Sequence, residues 1–353
     1  MWGGGVDRVL VIRNGLIGDT LFVTPVFDRL HATFPNAHLD MAASEKSTSL
    51  LKNYSIISNF FPIPTRFSVW THAKLFLSLR KFHYDVVVVQ ETNSHYTLMA
   101  KLVGARYAVG FDNKLSRLLD HSVAWPSGVH AVVAELETVR RWTISDQPLL
   151  VNLPVTDEEV RQARDILLSS GVRELDRLVC IHPGCSGRES KREWAPEYYA
   201  AVADRLIEDH GAEVVLDGIA QDQLIVEKIM SNMRHKSVSI LGKTNLRQFL
   251  GLMKLSKILL GPDTGTLHLA TAVGTPVLMV IGPTDPGDTG PYDPSGRSKV
   301  LRTELPCIGC ALRNPKPTQW DVCKDLYPVV CMKNLKPDLV YESIVDTLGW
   351  QQT

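Results

Sequence analysis

Four stretches of the chain gather residues whose types and spacing could do chemistry. The first is Arg13-Asn14-Gly15-Leu16-Ile17-Gly18-Asp19. It stands where an apolar run gives way to helical spacing. Gly15 and Gly18 allow a tight turn and close approach to a ligand. The carboxylate of Asp19 falls in the first helical turn, where it could take a proton from an attacking hydroxyl. A carboxylate there would equally stabilise a helix start by capping and by its interaction with the dipole. The spacing GxxGD lacks the G-x-G-x-x-G arrangement of a dinucleotide fingerprint. The second stretch is Gly261-Pro262-Asp263-Thr264-Gly265-Thr266-Leu267-His268. It also joins a strand pattern to a helix pattern. Unpaired N–H groups at such a helix start can hold a diphosphate. Thr264 and Thr266 add hydroxyls, Gly265 permits close approach, and His268 lies one turn in. An Asp/Thr cap beside a packed histidine is the plainer reading of the same residues.

The third stretch runs from His182-Pro183-Gly184 through Arg188, Lys191 and Arg192 to Trp194. Three cations after a turn rich in glycine and serine suit a leaving diphosphate, where negative charge develops. A solvated basic loop has the same composition. The fourth is Cys307-x2-Cys310-x12-Cys323-x7-Cys331. Four thiolates at such spacing can surround a tetrahedral ion, zinc or iron. Four unligated thiols fit equally. No histidine lies in residues 307–331, so a metal there would be structural rather than catalytic.

The elements that must position these residues follow from periodicity. Short β-branched runs at 9–13, 39–43 and 84–90 read as strands, the last nearly all valine. A helical stretch spans 19–34, with Pro25 as an early irregularity. Nearly continuous apolar strands imply a parallel sheet covered on both faces. The pattern weakens between 127 and 176 and then restarts. Strands are expected at 177–182, 213–217, 237–241, 257–260 and 276–281, and helices at 157–170, 196–210, 221–233, 245–255, 266–273 and 338–348. Alternation in both halves predicts an α/β protein of two doubly wound, Rossmann-like domains, residues 1–165 and 166–353. The second carries the Cys-rich segment 307–331 and the C-terminal helix. Ligands then belong outside the carboxyl ends of the strands, in a cleft between the domains.

Bulk properties narrow the class. The 353 residues suit two domains, and 44% hydrophobic with 22% charged residues is a globular composition. Lys+Arg and Asp+Glu both number 38, so there is no whole-protein basic field for nucleic acid. The start of the chain lacks a basic region followed by a long apolar one, and no apolar run approaches a membrane span. Cytoplasmic placement with reduced cysteines, and at most peripheral membrane contact, is the expectation. Phe60, Phe61, Phe67 and Trp70 form an aromatic cluster that fits either core packing or contact with lipid.

Together these motifs resemble glycosyltransferase family 9, the heptosyltransferases of lipopolysaccharide core assembly. The resemblance runs from about residue 9 to residue 332, in the family's order. It covers VLVIRNGLIGDTLFVTPVFDRLHATFPNAHLD, IHPG, the Lys/Arg–Trp–Pro region, LGKTNLRQFLGLM, GPDTGTLHLATAVGTPVLMVIGPTDP and Gly290-Pro291-Tyr292. It implies a GT-B fold of two Rossmann-like domains facing a cleft, the first binding acceptor and the second nucleotide sugar. It further implies transfer of heptose from ADP-heptose to the lipopolysaccharide inner core, with inversion and without a catalytic metal. By the same resemblance Asp19 matches the general base, and Asp263, Thr264, Gly265 and His268 match the donor-binding DTGxxH segment. Lys191 matches the diphosphate-binding lysine. Here, however, the segment reads Lys191-Arg192-Glu193-Trp194-Ala195-Pro196 rather than Lys-Arg-Trp-Pro, so Lys191 and Arg192 both stand as candidates. The cysteine cluster is partly similar to the iron-binding motif of protein O-heptosyltransferases. Transfer of heptose to protein, or of another nucleotide sugar, stands as an alternative. A non-catalytic nucleotide-sugar-binding protein is the alternative of a different class.

Overall fold

The structure, a computed structural model, describes residues 5–64, 66, 68–142, 150–185, 190–310, 323 and 328–351. Arg188 and Phe67, singled out in the sequence, lie outside these. The described chain forms two compact units, Met1–Val151 and Asn152–Thr353.

Unit 1 is built on six parallel strands: β1 (Arg8–Arg13), β2 (His38–Ser44), β3 (Ile57–Ile63), β4 (Val86–Val89), β5 (Tyr107–Phe111) and β6 (His121–Val123). Their order across the sheet is β3-β2-β1-β4-β5-β6. The helices are α1 (Ile17–Phe22), α2 (Thr24–Thr33), α3 (Glu45–Leu51), α4 (Val69–Ser78), α5 (Ser94–Val103) and α6 (Ala131–Leu136). All four valines of β4 are buried. Each contributes about 2 kcal/mol by leaving water, and β-branching suits the extended backbone. The expected helix 19–34 is two helices. Pro25 has no N–H to give the carbonyl of Leu21. The Thr24 hydroxyl donates to that carbonyl instead, at 2.8 Å.

Unit 2 repeats the plan with β7 (Leu178–Ile181), β8 (Glu213–Leu216), β9 (Val238–Ser239), β10 (Ile258–Pro262), β11 (Val277–Ile281) and β12 (Lys299–Arg302). The sheet is again parallel, in the order β12-β11-β10-β7-β8-β9. Its helices are α7 (Asp157–Ser169), α8 (Pro196–His210), α9 (Gln223–Asn232), α10 (Leu246–Leu255), α11 (Gly265–Ala272), α12 (Pro286–Thr289), α13 (Val330–Asn334) and α14 (Pro337–Leu348). The fold is therefore α/β with two Rossmann-like sheets. Among the described residues no helix is long and apolar enough to cross a membrane.

The domain boundary lies earlier than the expected 165/166. Helix α7 belongs to unit 2 because its Glu159 forms a buried ion pair, 2.7 Å, with Arg247 of α10. Arg247 also donates to the carbonyl of Pro154 at 2.6 Å. A Cβ on Gly251 of α10 would stand 2.2 Å from the Glu159 carbonyl, so only glycine lets the two helices approach this closely.

In both sheets the chain order reverses once. The reversal falls between β1 and β4 in unit 1, and between β10 and β7 in unit 2. At such a point neighbouring loops leave in opposite directions and open a crevice for a ligand. The turn after β1 leads into α1, whose first turn carries Asp19. The loops after β7 and β10 carry His182 and Asp263.

Candidate active site

In unit 1, Leu16 caps α1 with extended backbone, and Gly18 and Asp19 take its second and third positions. The Asp19 carboxylate accepts the N–H of Leu16 at 2.8 Å. A Cβ on Gly15 would stand 2.5 Å from the Asp19 Cβ, so Gly15 leaves room for that side chain. The Asp19 side chain keeps 40% of its surface exposed, and its other oxygen lies 3.3 Å from Arg13 Nη2. Arg13 is buried at the end of β1 and holds two further carboxylates: Glu135 of α6 at 2.9 Å and Glu91, just beyond β4, at 3.7 Å. It also donates to the carbonyl of Gln90. Glu91 in turn accepts the N–H of Asn14 at 2.7 Å, and the Asn14 amide donates to the Tyr96 hydroxyl at 2.5 Å.

One guanidinium thus faces three carboxylates. Burial pushes the Glu135 carboxyl up to about 8, reinforced by the charges of Asp19 and Glu91 and opposed by Arg13. Burial also raises Glu91 above the ordinary carboxylate range. With Glu135 protonated near neutrality, Arg13 is left to balance Asp19 and Glu91. Of the three, Asp19 alone is substantially exposed, so it is the carboxylate that a substrate hydroxyl can reach. Nothing in the sequence pattern marks Glu135 except a charged residue on the buried side of α6. Glu91 follows the apolar run of β4, and the reversal of strand order is what places it beside β1.

In unit 2, Asp263 ends the turn after β10 and Thr264 caps α11 without a side-chain bond to the helix. The helix start therefore presents the N–H groups of Gly265 and Thr266, and the Thr264 and Thr266 hydroxyls meet at 2.7 Å. Asp263 and His268 are buried. Arg192 donates to the Asp263 carbonyl at 2.8 Å and lies 3.7 Å from its carboxylate. The second and third sequence stretches therefore converge. Their anchor is Trp194, fully buried, with Nε1 donating to the Leu335 carbonyl at 2.9 Å. At the end of β7, His182 Nδ1 lies 3.0 Å from the Asp217 carboxylate at the end of β8. Sequence reasoning named His182 but did not find that partner.

Lys191 takes a different place from Arg192. It lines a small apolar cavity together with Cys307, Cys310, Cys323 and Cys331. None of the four is paired in a disulfide. Burial, with a smaller contribution from the charge of the other three cysteines, pushes the Cys331 thiol up to about 11. The fourth stretch is thus brought to one locus. Among the described residues no group of three or more His, Cys, Asp or Glu already has metal-holding geometry.

The model of glycosyltransferase family 9 (heptosyltransferase) matches residues 72–316. Lipopolysaccharide heptosyltransferase 2 of Escherichia coli (strain K12) is 26% identical over 313 residues, which cover 84% of this chain and 88% of that protein. The crystal structure of the family 9 glycosyl transferase from Veillonella parvula DSM 2008 has a TM-score of 0.87 at 19% identity, covering 99% of both chains. The structure of E. coli ADP-heptose lps heptosyltransferase II has a TM-score of 0.79 at 21% identity, covering 97% of this chain and 98% of that one. With its two Rossmann-like sheets of GT-B type and a family match across most of its length, the chain belongs to glycosyltransferase family 9, the heptosyltransferases.

Proposed function

We propose that the enzyme moves heptose from ADP-heptose to the inner core of lipopolysaccharide, with inversion at the anomeric carbon and no metal at the reacting centre. The observation that carries this reading is the half-exposed Asp19 carboxylate, oriented by Arg13 and the Leu16 N–H at the strand-order reversal of unit 1. Unit 1 takes the acceptor and unit 2 the donor. Asp19 removes the proton of the acceptor hydroxyl, and that oxygen bonds to the anomeric carbon. The bond from that carbon to the diphosphate oxygen breaks, and ADP leaves with the electron pair. Attack opposite the leaving group inverts the centre. The start of α11, Thr264, Thr266 and the Arg192 guanidinium supply the positive field that the leaving diphosphate needs, the task a metal would otherwise perform. Arg192, tied to Asp263, is the better placed cation; Lys191 faces the cysteine cavity. Asp263 holds Arg192, and His268 lies one turn further along α11. The work is done at the cytoplasmic face of the membrane that carries the acceptor.

The four thiols at the cavity form an all-sulfur donor set suited to zinc or iron(II), and Lys191 beside them offsets the net negative charge of such a centre. We assign Cys307, Cys310, Cys323 and Cys331 a structural metal that supplies no chemistry to the transfer.

The test measures ADP release from ADP-heptose with and without heptose-deficient core. Wild type should release ADP only with acceptor, and Asp19→Asn should lower kcat by roughly 100-fold or more. Near-normal transfer by Asp19→Asn would remove the base assignment. Donor binding with no transfer to that core, but with transfer to a protein serine, would replace the acceptor.

A further inference from the structure

One face of unit 1 has no part in the site above. Helices α4 and α5 lie side by side: His72 Nδ1 is 2.9 Å from His95 Nε2 near their starts. Just past the end of α4, Arg80 lies 3.4 Å from the position of a Cβ on Gly104, which caps α5. Their inner sides are buried through Phe76 and His72 on α4 and through Tyr96, Met99 and Val103 on α5. Their outer sides are not. Trp70 is 84% exposed, Val69 49%, Leu77 45% and Leu98 40%.

Trp70, Lys74, Leu77 and Lys81 recur at helical spacing and form one stripe along α4 and the 3-10 turn Leu79–Phe82. The charge on this face has one sign. No acidic residue occurs between Glu45 and Asp85, or between Glu91 and Asp112, whereas these stretches carry Arg66, Lys74, Arg80, Lys81 and Lys101. Asp85, at the border, is occupied by Arg106 at 3.1 Å and by the N–H groups of Asp7 and Arg8. In a chain of zero net charge such a face is a local concentration, not a background. Single apolar side chains set between lysines, with an exposed tryptophan, are the composition of a helix that lies on a lipid surface. The rings and alkyl stems enter the headgroup layer while the ammonium groups stay with phosphates.

The face also adjoins the candidate active site. His72 lies 3.2 Å from the Pro64 carbonyl and contacts His95, and the next residue, Tyr96, receives the amide of Asn14 in the Asp19 loop.

We infer that the outer face of α4 and α5 docks the protein on an anionic phospholipid surface, with Trp70 and Leu77 entering the headgroup layer and Lys74, Lys81 and Lys101 meeting lipid phosphates. Its purpose, bringing a membrane-borne acceptor to the Asp19 loop, rests on the function proposed above.

The experiment floats the full chain with vesicles of phosphatidylcholine alone or with about 30% phosphatidylglycerol, a fraction that sets up a negative surface potential. Binding should require the anionic lipid and weaken as salt rises. Trp70→Ser, and Lys74→Glu with Lys81→Glu, should each lower the partition coefficient by about tenfold or more, with unchanged thermal midpoints. Transfer to a deacylated, water-soluble acceptor should stay at the wild-type rate in these variants, while transfer to vesicle-borne acceptor falls with binding. Absence of wild-type binding to anionic vesicles, or equal binding by the variants, overturns the docking surface. So does a dimer in light scattering that Trp70→Ser dissolves, which gives the patch to a second copy. Vesicle binding without transfer to any acceptor would sink the proposed function and leave the surface standing. Transfer without vesicle binding would do the reverse.

Discussion

Glu135 is the residue whose removal should be most informative. It is fully buried beside Arg13 and its carboxyl is pushed up to about 8, far above an unfolded glutamate. The native state therefore holds a proton that the unfolded chain releases, in the window between about 4.5 and about 8. Stability falls with rising pH wherever the native state binds more protons, so this group's contribution is fully present below the unfolded value and is lost as pH rises through the folded one. Glu135→Gln copies the protonated state. The variant should match wild type near pH 5 and become progressively more stable than it towards pH 8, with kcat at pH 7 kept within about threefold because Arg13 still faces Asp19. Thermal melts across that range, with parallel kinetics, check both statements. A wild-type and variant difference that does not change with pH would mean that Glu135 is ionised throughout.

At the scale of elements, much was legible and the gaps have physical causes. The valine run of β4 and the apolar β7, β10 and β11 were readable because strands buried on both faces need no alternation. Strands β3, β5, β6 and β12 were not: β3 carries Asn59 and Pro62, β5 carries Gly110, β6 is three residues long, and β12 has only Val300 and Leu301 between Lys299 and Arg302, so none shows a continuous apolar run. Asp19 and the Asp263–His268 turn were legible because each comes within a few residues of a strand end, and Arg192 because it belongs to a basic run just before Trp194. The Arg13–Glu135 pair was not, because it joins β1 to a helix far along the chain. The cysteine stretch was read as a spacing and becomes a place only through folding, which brings Cys331 of α13 to the turn holding Cys307 and Cys310. A metal there would tie that turn to α13, and a Cβ on Gly282 would stand 2.6 Å from the Cys331 sulfur, so β11 packs directly against the same knot. Protein purified under reducing conditions should carry one zinc or iron per chain. Cys310→Ser should lose it and several degrees of thermal midpoint, since structural metal binding adds directly to folding free energy. Metal-free protein with the same midpoint as Cys310→Ser would leave four packed thiols and no centre.

At the scale of the whole molecule, two units of the same plan carry different charge and different chemistry. Residues 1–151 hold 15 Lys and Arg against 12 Asp and Glu, so unit 1 is basic and unit 2 correspondingly acidic, although the chain sums to zero. Each unit has its own parallel sheet and its own reversal of strand order. The carboxylate cluster belongs wholly to the first, and the α11 helix start with Arg192 wholly to the second. If the nucleotide is held by those unit 2 groups, ADP alone should act on unit 2 alone. At about 100 times its dissociation constant a ligand stabilises the state it binds by about 2.7 kcal/mol. Where exchange proceeds through opening of the binding region, that corresponds to roughly 100-fold slower amide exchange. Hydrogen exchange with ADP should therefore slow at residues 178–185, 190–192 and 258–268 and leave β1 and α1 at their unliganded rates. Protection appearing in β1 and α1 with ADP alone would move the nucleotide to the Asp19 loop and exchange the roles given to the two units. Protection confined to unit 2 would keep Asp19 free for the acceptor, as its role as base requires.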